Sequence, residues 1–180
     1  AGLLRKIGGE LGFQVETAGL LAQNGEKVGS SAVRQALAAG DVEEVERLLG
    51  RPFSLSGPIV QGAHRGAGLG FPTANIAIGL DRALPAFGVY VTRAYVRESE
   101  YQSCTNIGGR PTFDSEPRPT VEAFIIDFDG DIYGQEVRID LLHRLRDEIK
   151  FDSVDELVAQ MHRDIAGTRR YFAREGASHG

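Results

Sequence analysis

Val121-Glu122-Ala123-Phe124-Ile125-Ile126-Asp127-Phe128 is apolar on both of its alternating faces, apart from a carboxylate near each end. A short run so rich in β-branched and aromatic residues reads as a strand, here from Thr120 to Phe128. Apolar side chains on both faces imply that this strand is covered on both sides. Glu122 is the anomaly. It shares a face with Phe124, Ile126 and Phe128, where a carboxylate costs free energy unless it is paired or hydrogen-bonded. It is either a rim carboxylate held by an arginine or a functional base in a cleft, and the strand alone leaves both open.

Working outward, Asp129-Gly130-Asp131 turns the chain into a further strand from Gln135 to Leu142. Upstream, Ser54–Gln61, Gly88–Val96 and Tyr101–Ile107 read as strands, with Gly, Pro and Asp between them. Such spacing predicts a mainly β domain, an antiparallel barrel or sandwich. After the strands, Ser153 and Glu156 form a capping box for a helix. Val154, Leu157, Val158, Met161, Ile165 and Phe172 recur on one face of it, as expected for a core-facing helix.

Before the strands, Phe13–Thr17 is a possible strand and Gln23-Asn24-Gly25-Glu26-Lys27 a turn. Ser30 or Ser31 can cap a short helix ending at Gly40; Asp41, with Glu44 three residues on, starts another that Gly50 ends. These helices carry enough apolar residues to dock but not to form a core. The domain boundary is therefore expected between Gly50 and Phe53.

The 180 residues suffice for one domain with a proper core. A net charge of −5 argues against broad nucleic-acid or anionic-membrane binding. Cys104 is the only cysteine, so no internal disulfide can form, which suits a reducing cytoplasm. No apolar run is long enough to span a bilayer. His64, His143, His162 and His179 show no metal-ligand spacing, so zinc is not expected.

Gly62-Ala63-His64-Arg65-Gly66-Ala67-Gly68-Leu69-Gly70-Phe71-Pro72-Thr73-Ala74-Asn75 is the other stretch with chemical content. Gly66, Gly68 and Gly70 allow close backbone approach to a ligand. Thr73 and Asn75 would project to the same side of an extended segment as hard oxygen donors, suited to Mg²⁺ that keeps waters and phosphates as its other ligands. On glycine spacing alone, a glycine-rich turn followed by an ordinary strand is the stronger reading. Arg110, in Asn106-Ile107-Gly108-Gly109-Arg110-Pro111-Thr112-Phe113, can contact phosphate or brace an acid such as Glu122. Leu145-Arg146-Asp147-Glu148-Ile149-Lys150-Phe151 reads by itself as a solvated connection.

With these residues laid out, the chain resembles the riboflavin kinase module of bacterial bifunctional riboflavin kinase/FAD synthetases. The likeness runs from about Leu48 to the end of the last helix. It rests on Gly70–Asn75, Asn106–Phe113, Val121-Glu122, and Leu145-Arg146 with Lys150-Phe151. It implies a six-stranded antiparallel Greek-key barrel with a C-terminal helix, over residues 51–180. It also implies transfer of the ATP γ-phosphoryl group to the riboflavin 5′-hydroxyl, giving FMN and ADP. Carried over by motif, Glu122 is the base, and Thr73 and Asn75 bind Mg²⁺ and ATP. Gly62, Gly66, Gly68 and Gly70 form a flap over ATP, and Tyr133 lies near the nucleotide. Arg146, Glu148 and Phe151 belong to the flavin side, with Arg110 in support.

Residues 1–50, with Val28-Gly29-Ser30-Ser31-Ala32-Val33-Arg34, resemble the helical tail of the preceding FMN adenylyltransferase module. The front of that module, with its His-x-Gly-His signature, is not in this sequence, so FAD synthesis by this chain is not expected. The implied enzyme is cytoplasmic and linked to an adenylyltransferase domain in a longer protein. A flavin- or nucleotide-binding module without turnover is the alternative.

Overall fold

The structure is a computed structural model that describes residues 2–16, 22–23, 26–27, 29–62, 70–79, 82–110 and 118–178. Its elements run α1 (Gly2–Leu11), β1 (Ala22–Gln23), β2 (Glu26–Lys27), α2 (Ser30–Ala39), α3 (Val42–Leu49), β3 (Phe53–Val60), β4 (Ala74–Ile76), β5 (Gly88–Val96), β6 (Ser99–Arg110), β7 (Arg118–Ile125), β8 (Glu136–Arg146) and α4 (Val154–Ser178).

Six strands close into a barrel in the order β3-β4-β7-β6-β5-β8, each neighbour antiparallel. The meander β5-β6-β7, with β8 returning beside β5, is a Greek key. Alternation decides which side chains fill the interior. Leu55, Ile76, Tyr90, Ala94, Ile107, Val121, Ala123, Ile125, Ile139 and Leu141 are all buried there. Among them lies a polar cluster with no exposure, in which Thr92 Oγ1 is 2.6 Å from Ser103 Oγ and 2.7 Å from Thr105 Oγ1. The Thr92 hydroxyl, bonded to both others, spares the cluster the cost of unpaired polar groups in an apolar interior.

The helix α4 lies on the outside of β5 and β6. Ser153 Oγ accepts from the Glu156 backbone N–H at 3.2 Å, and the Glu156 carboxylate accepts from the Asp152 N–H at 3.3 Å. Both ends of the expected capping box are thus engaged. Val154 departs from the expected apolar face and is exposed, because the helix meets the barrel only from its second turn onward.

The N-terminal part differs most from the sequence reading. Residues 2–11 form α1, which alternating glycines and charges did not signal. Phe13–Glu16, expected to be extended, form no strand, and Thr17 lies outside the described residues. Where a turn was expected, β1 and β2 pair with Ala22 opposite Lys27, and Asn24 and Gly25 lie outside the described residues. Gly29, not Ser30 or Ser31, is the N-cap of α2, and no side chain caps it. Asp41 caps α3 as expected, accepting from the Glu44 N–H at 2.9 Å.

α3 docks on the barrel. Val42 is buried with the interior cluster, while Val45 packs with Ala36 and Leu37. Glu43 pairs with His143 of β8, whose ring stacks on Tyr171 of α4 at 5.7 Å. Gly40, in the left-handed region at φ 76°, brings the turn onto Tyr90 and Arg144, where an added Cβ would approach the Tyr90 hydroxyl to 2.9 Å. Gly50 has φ 69° and open space around it. Replacing either by alanine incurs about 1–2 kcal/mol of left-handed strain. Gly40→Ala adds the collision, so it should lower the urea-unfolding free energy more than Gly50→Ala. Equal losses would contradict this docking.

Candidate active site

Asn75, Glu122 and Asn106 form one transverse row across three neighbouring strands. Asn75 of β4 is the register partner of Glu122 on β7, and Glu122 is the partner of Asn106 on β6. Their flanking residues (Ala74 and Ile76, Val121 and Ala123, Thr105 and Ile107) are buried in the interior, so the row itself lies on the outer face, half-buried. Residues directly opposed across antiparallel strands have Cβ atoms about 4.5–5.5 Å apart. One carboxylate therefore stands between two carboxamides.

The outer face accounts for the anomaly of Glu122, which keeps contact with solvent. Phe124 shares its face, as expected. The strand ends at Ile125, so Ile126 opens the turn that follows and Phe128 lies just beyond it. Phe124 is covered from outside by Phe71, with ring centroids 5.7 Å apart, and Phe71 in turn meets His162 of α4 at 5.0 Å. The residue before Pro72 thus fixes where β4 begins.

On one side of the row, Gly62 lies against the Asn75 carboxamide, and any Cβ at position 62 would overlap it. Gly70 sits at φ 83°, a conformation suited to glycine. Gly66 and Gly68 lie outside the described residues. Thr73 lines a cavity of about 290 Å³ together with Ile59, Ala123, Phe128, Asp129, Asp131 and Tyr133. The Asp131 carboxylate accepts from the Tyr133 backbone N–H at 3.0 Å and shapes that rim.

On the other side, Glu148 occupies the space above Gly108. A Cβ there would overlap its carboxylate and lie 3.2 Å from Asn106 Nδ2. Arg146 is committed to α4: its Nε and Nη2 donate to the Asp164 carboxylate at 2.7–3.1 Å, and its Nη1 donates to the Asp147 carbonyl at 2.9 Å. Gln160 adds a 2.7 Å bond to Asp164, which is 7% exposed. Phe151, half-buried, follows this anchored segment. The Arg110 backbone pairs with Arg118, four residues along β6 from Asn106 and so about 13 Å away at strand rise.

Sequence reasoning quoted Asn106 and Gly108 inside a motif but gave them no role, and it passed over Asp164. Asn106 meets Glu122 only through a hairpin register, and Asp164 meets Arg146 across 18 residues. No local pattern carries either fact.

Residues 49–172 match the family model Flavokinase, described as riboflavin kinase. The chain belongs to the riboflavin kinase family. It is 37% identical over 171 residues to the bifunctional riboflavin kinase/FMN adenylyltransferase of Escherichia coli, covering 94% of this chain and 54% of that one. The protein of the same description from Listeria monocytogenes is 36% identical over 149 residues, 83% of this chain and 48% of that one. The chain thus spans about half the length of these relatives. A solved Streptococcus pneumoniae chain described as a macrolide-efflux protein is 41% identical with a TM-score of 0.76, covering 83% of this chain and 49% of that one. Among the described residues no helix is long and apolar enough to cross a membrane.

Cys104, two residues before Asn106 on the same face, is buried beneath α4. Burial pushes its thiol up to about 12, the Asp164 charge adds to this, and Thr168 and Arg146 partly offset it. At pH 8 only roughly one thiol in ten thousand would be the reactive thiolate. Iodoacetamide at that pH should leave the folded protein unmodified and alkylate it fully in urea, as read by mass spectrometry. Rapid labelling of the folded protein would contradict the seating of α4.

Proposed function

We propose that this chain transfers the γ-phosphoryl group of ATP to the 5′-hydroxyl of riboflavin, giving FMN and ADP. Glu122 is the base, and Thr73 and Asn75 hold Mg-ATP. The observation that carries this reading is the register that sets Asn75 directly opposite Glu122 on the outer face of the barrel. The family match and the names of the relatives support it at the level of reaction and substrates.

Phosphoryl transfer needs positioning and charge stabilisation more than covalent chemistry. The Glu122 carboxylate accepts the hydroxyl proton while the new O–P bond forms. The bond between the γ-phosphorus and its bridging oxygen breaks, and ADP departs with that electron pair. The hydroxyl of Thr73 and the carboxamide oxygen of Asn75 are hard, neutral donors from one short segment, a donor set that fits a hydrated Mg²⁺ ion. When bound, that ion neutralises charge building on the phosphates. A partly solvated carboxylate such as Glu122 can return its proton to water after each turnover.

The remaining roles are those the resemblance implies. The cavity beside Thr73, rimmed by Tyr133, receives the nucleotide, and Gly62 to Gly70, with Gly66 and Gly68, close over it. Glu148 and Phe151 face the flavin, and Arg146 acts by anchoring their segment to Asp164. Arg110 supports from the far end of β6. Residues 51–180 are read as the kinase domain and 1–50 as the tail of an adenylyltransferase module, the whole working in the cytoplasm. FAD formation is not proposed for these 180 residues.

Glu122→Gln keeps the shape and removes the base. It should lower kcat for FMN formation by about 10²–10⁴, the usual contribution of a general base, while MgADP still binds. Separation of flavin products after incubation with riboflavin, ATP and Mg²⁺ measures this. An unchanged rate in the variant would sink the assignment of Glu122. Flavin binding without FMN from the unsubstituted chain would favour a module without turnover.

A further inference from the structure

We propose that Asn106 is the positioning residue for Glu122, a role that rests on the reading of Glu122 as the base. The register makes Asn106 the immediate β6 neighbour of Glu122, on the side opposite Asn75. If Asn75 is turned toward Mg-ATP, Asn106 is the remaining carboxamide beside the base. Its two N–H groups have two carboxylates within the neighbourhood: Glu122 across the strand pair, and Glu148 above Gly108. Beyond Asn106 the row continues with Val89, which offers no polar group, and then Arg146, already bonded to Asp164.

A carboxamide is suited to this place. One N–H donated to one oxygen of Glu122 fixes the carboxylate plane and leaves the other oxygen for the substrate hydroxyl. Because the amide is neutral, it orients the base without forming the ion pair that an arginine would. Glu148, standing on the other side of Asn106, is placed to compete for the same amide. Displacement of Glu148 by the flavin would free Asn106 for Glu122, so that the base is oriented when the acceptor is present.

The charged groups around this point are Glu148, from the segment after β8, and the Arg146–Asp164 pair between β8 and α4. Cys104, under α4, stays neutral through the working pH range.

The test is steady-state FMN formation, with kcat and KM resolved, by Asn106→Ala and the isosteric Asn106→Asp, beside the unsubstituted chain and Glu122→Gln. Asn106→Ala should lower kcat roughly ten- to hundredfold, with KM for ATP and riboflavin changed less than about threefold. Asn106→Asp, which sets a like charge against Glu122, should lose at least as much kcat. Thermal melting and MgADP binding verify that each variant is folded, and Asn106→Asp preserves the packing if Asn106→Ala does not. A kcat unchanged in the folded variants would overturn the role of Asn106. So would a loss confined to KM. Glu122→Gln separates the two readings: if it is inactive while Asn106→Ala is fully active, only this proposal fails. If Glu122→Gln is itself active, the base assignment fails with it.

Discussion

The antiparallel pairing of β4, β7 and β6 is the constraint on which the rest depends. It sets Ala74, Ala123 and Thr105 inward as one layer, and Asn75, Glu122 and Asn106 outward as the next. A slip of one residue in β7 would carry Glu122 into an apolar interior and expel Val121 or Ala123. Closure of the ring removes the free edges along which such a slip could begin. The apolar side chains filling the barrel therefore enforce the order of polar groups on its surface. Stability and the candidate site are two faces of one register.

A second constraint comes from α4. Its Asp164 holds Arg146 by three nitrogen–oxygen contacts at the end of β8, and its His162 backs Phe71 at the start of β4. The helix thus pins both segments that flank the row, from opposite sides. A largely desolvated pair such as Arg146–Asp164 is weak evidence for net stability but strongly resists loss of one partner, because the other charge is then left buried. Its use here is positional: it fixes the level at which the segment bearing Glu148 leaves the barrel.

The sequence made much of this legible, and the reasons are physical. Five strands were readable because turn residues separate β-branched runs, and α3 because Asp41 and Gly50 punctuate it. The three-residue β4 was too short to carry a period of its own. It was visible only as the extended setting of Thr73 and Asn75. Glu122 announced itself as a charge among apolar neighbours, whereas Asn106 and Asp164 are ordinary polar residues whose partners come from distant segments. α1 escaped notice because Gly2, Gly8 and Gly9 interrupt its helical pattern. Arg146 was expected on the flavin side by resemblance, and only the fold shows its guanidinium bound to a helix.

The central claim is that the outer-face row, not another part of the barrel, surrounds the transferring phosphoryl group. Paramagnetic relaxation by Mn²⁺ in place of Mg²⁺, with ADP and FMN bound, tests it most directly. Nuclear magnetic resonance should show the side-chain amide of Asn75 broadened most strongly, that of Asn106 less, and that of Gln35 on α2 least. Broadening centred on Gln35, with the two asparagines spared, would contradict the account.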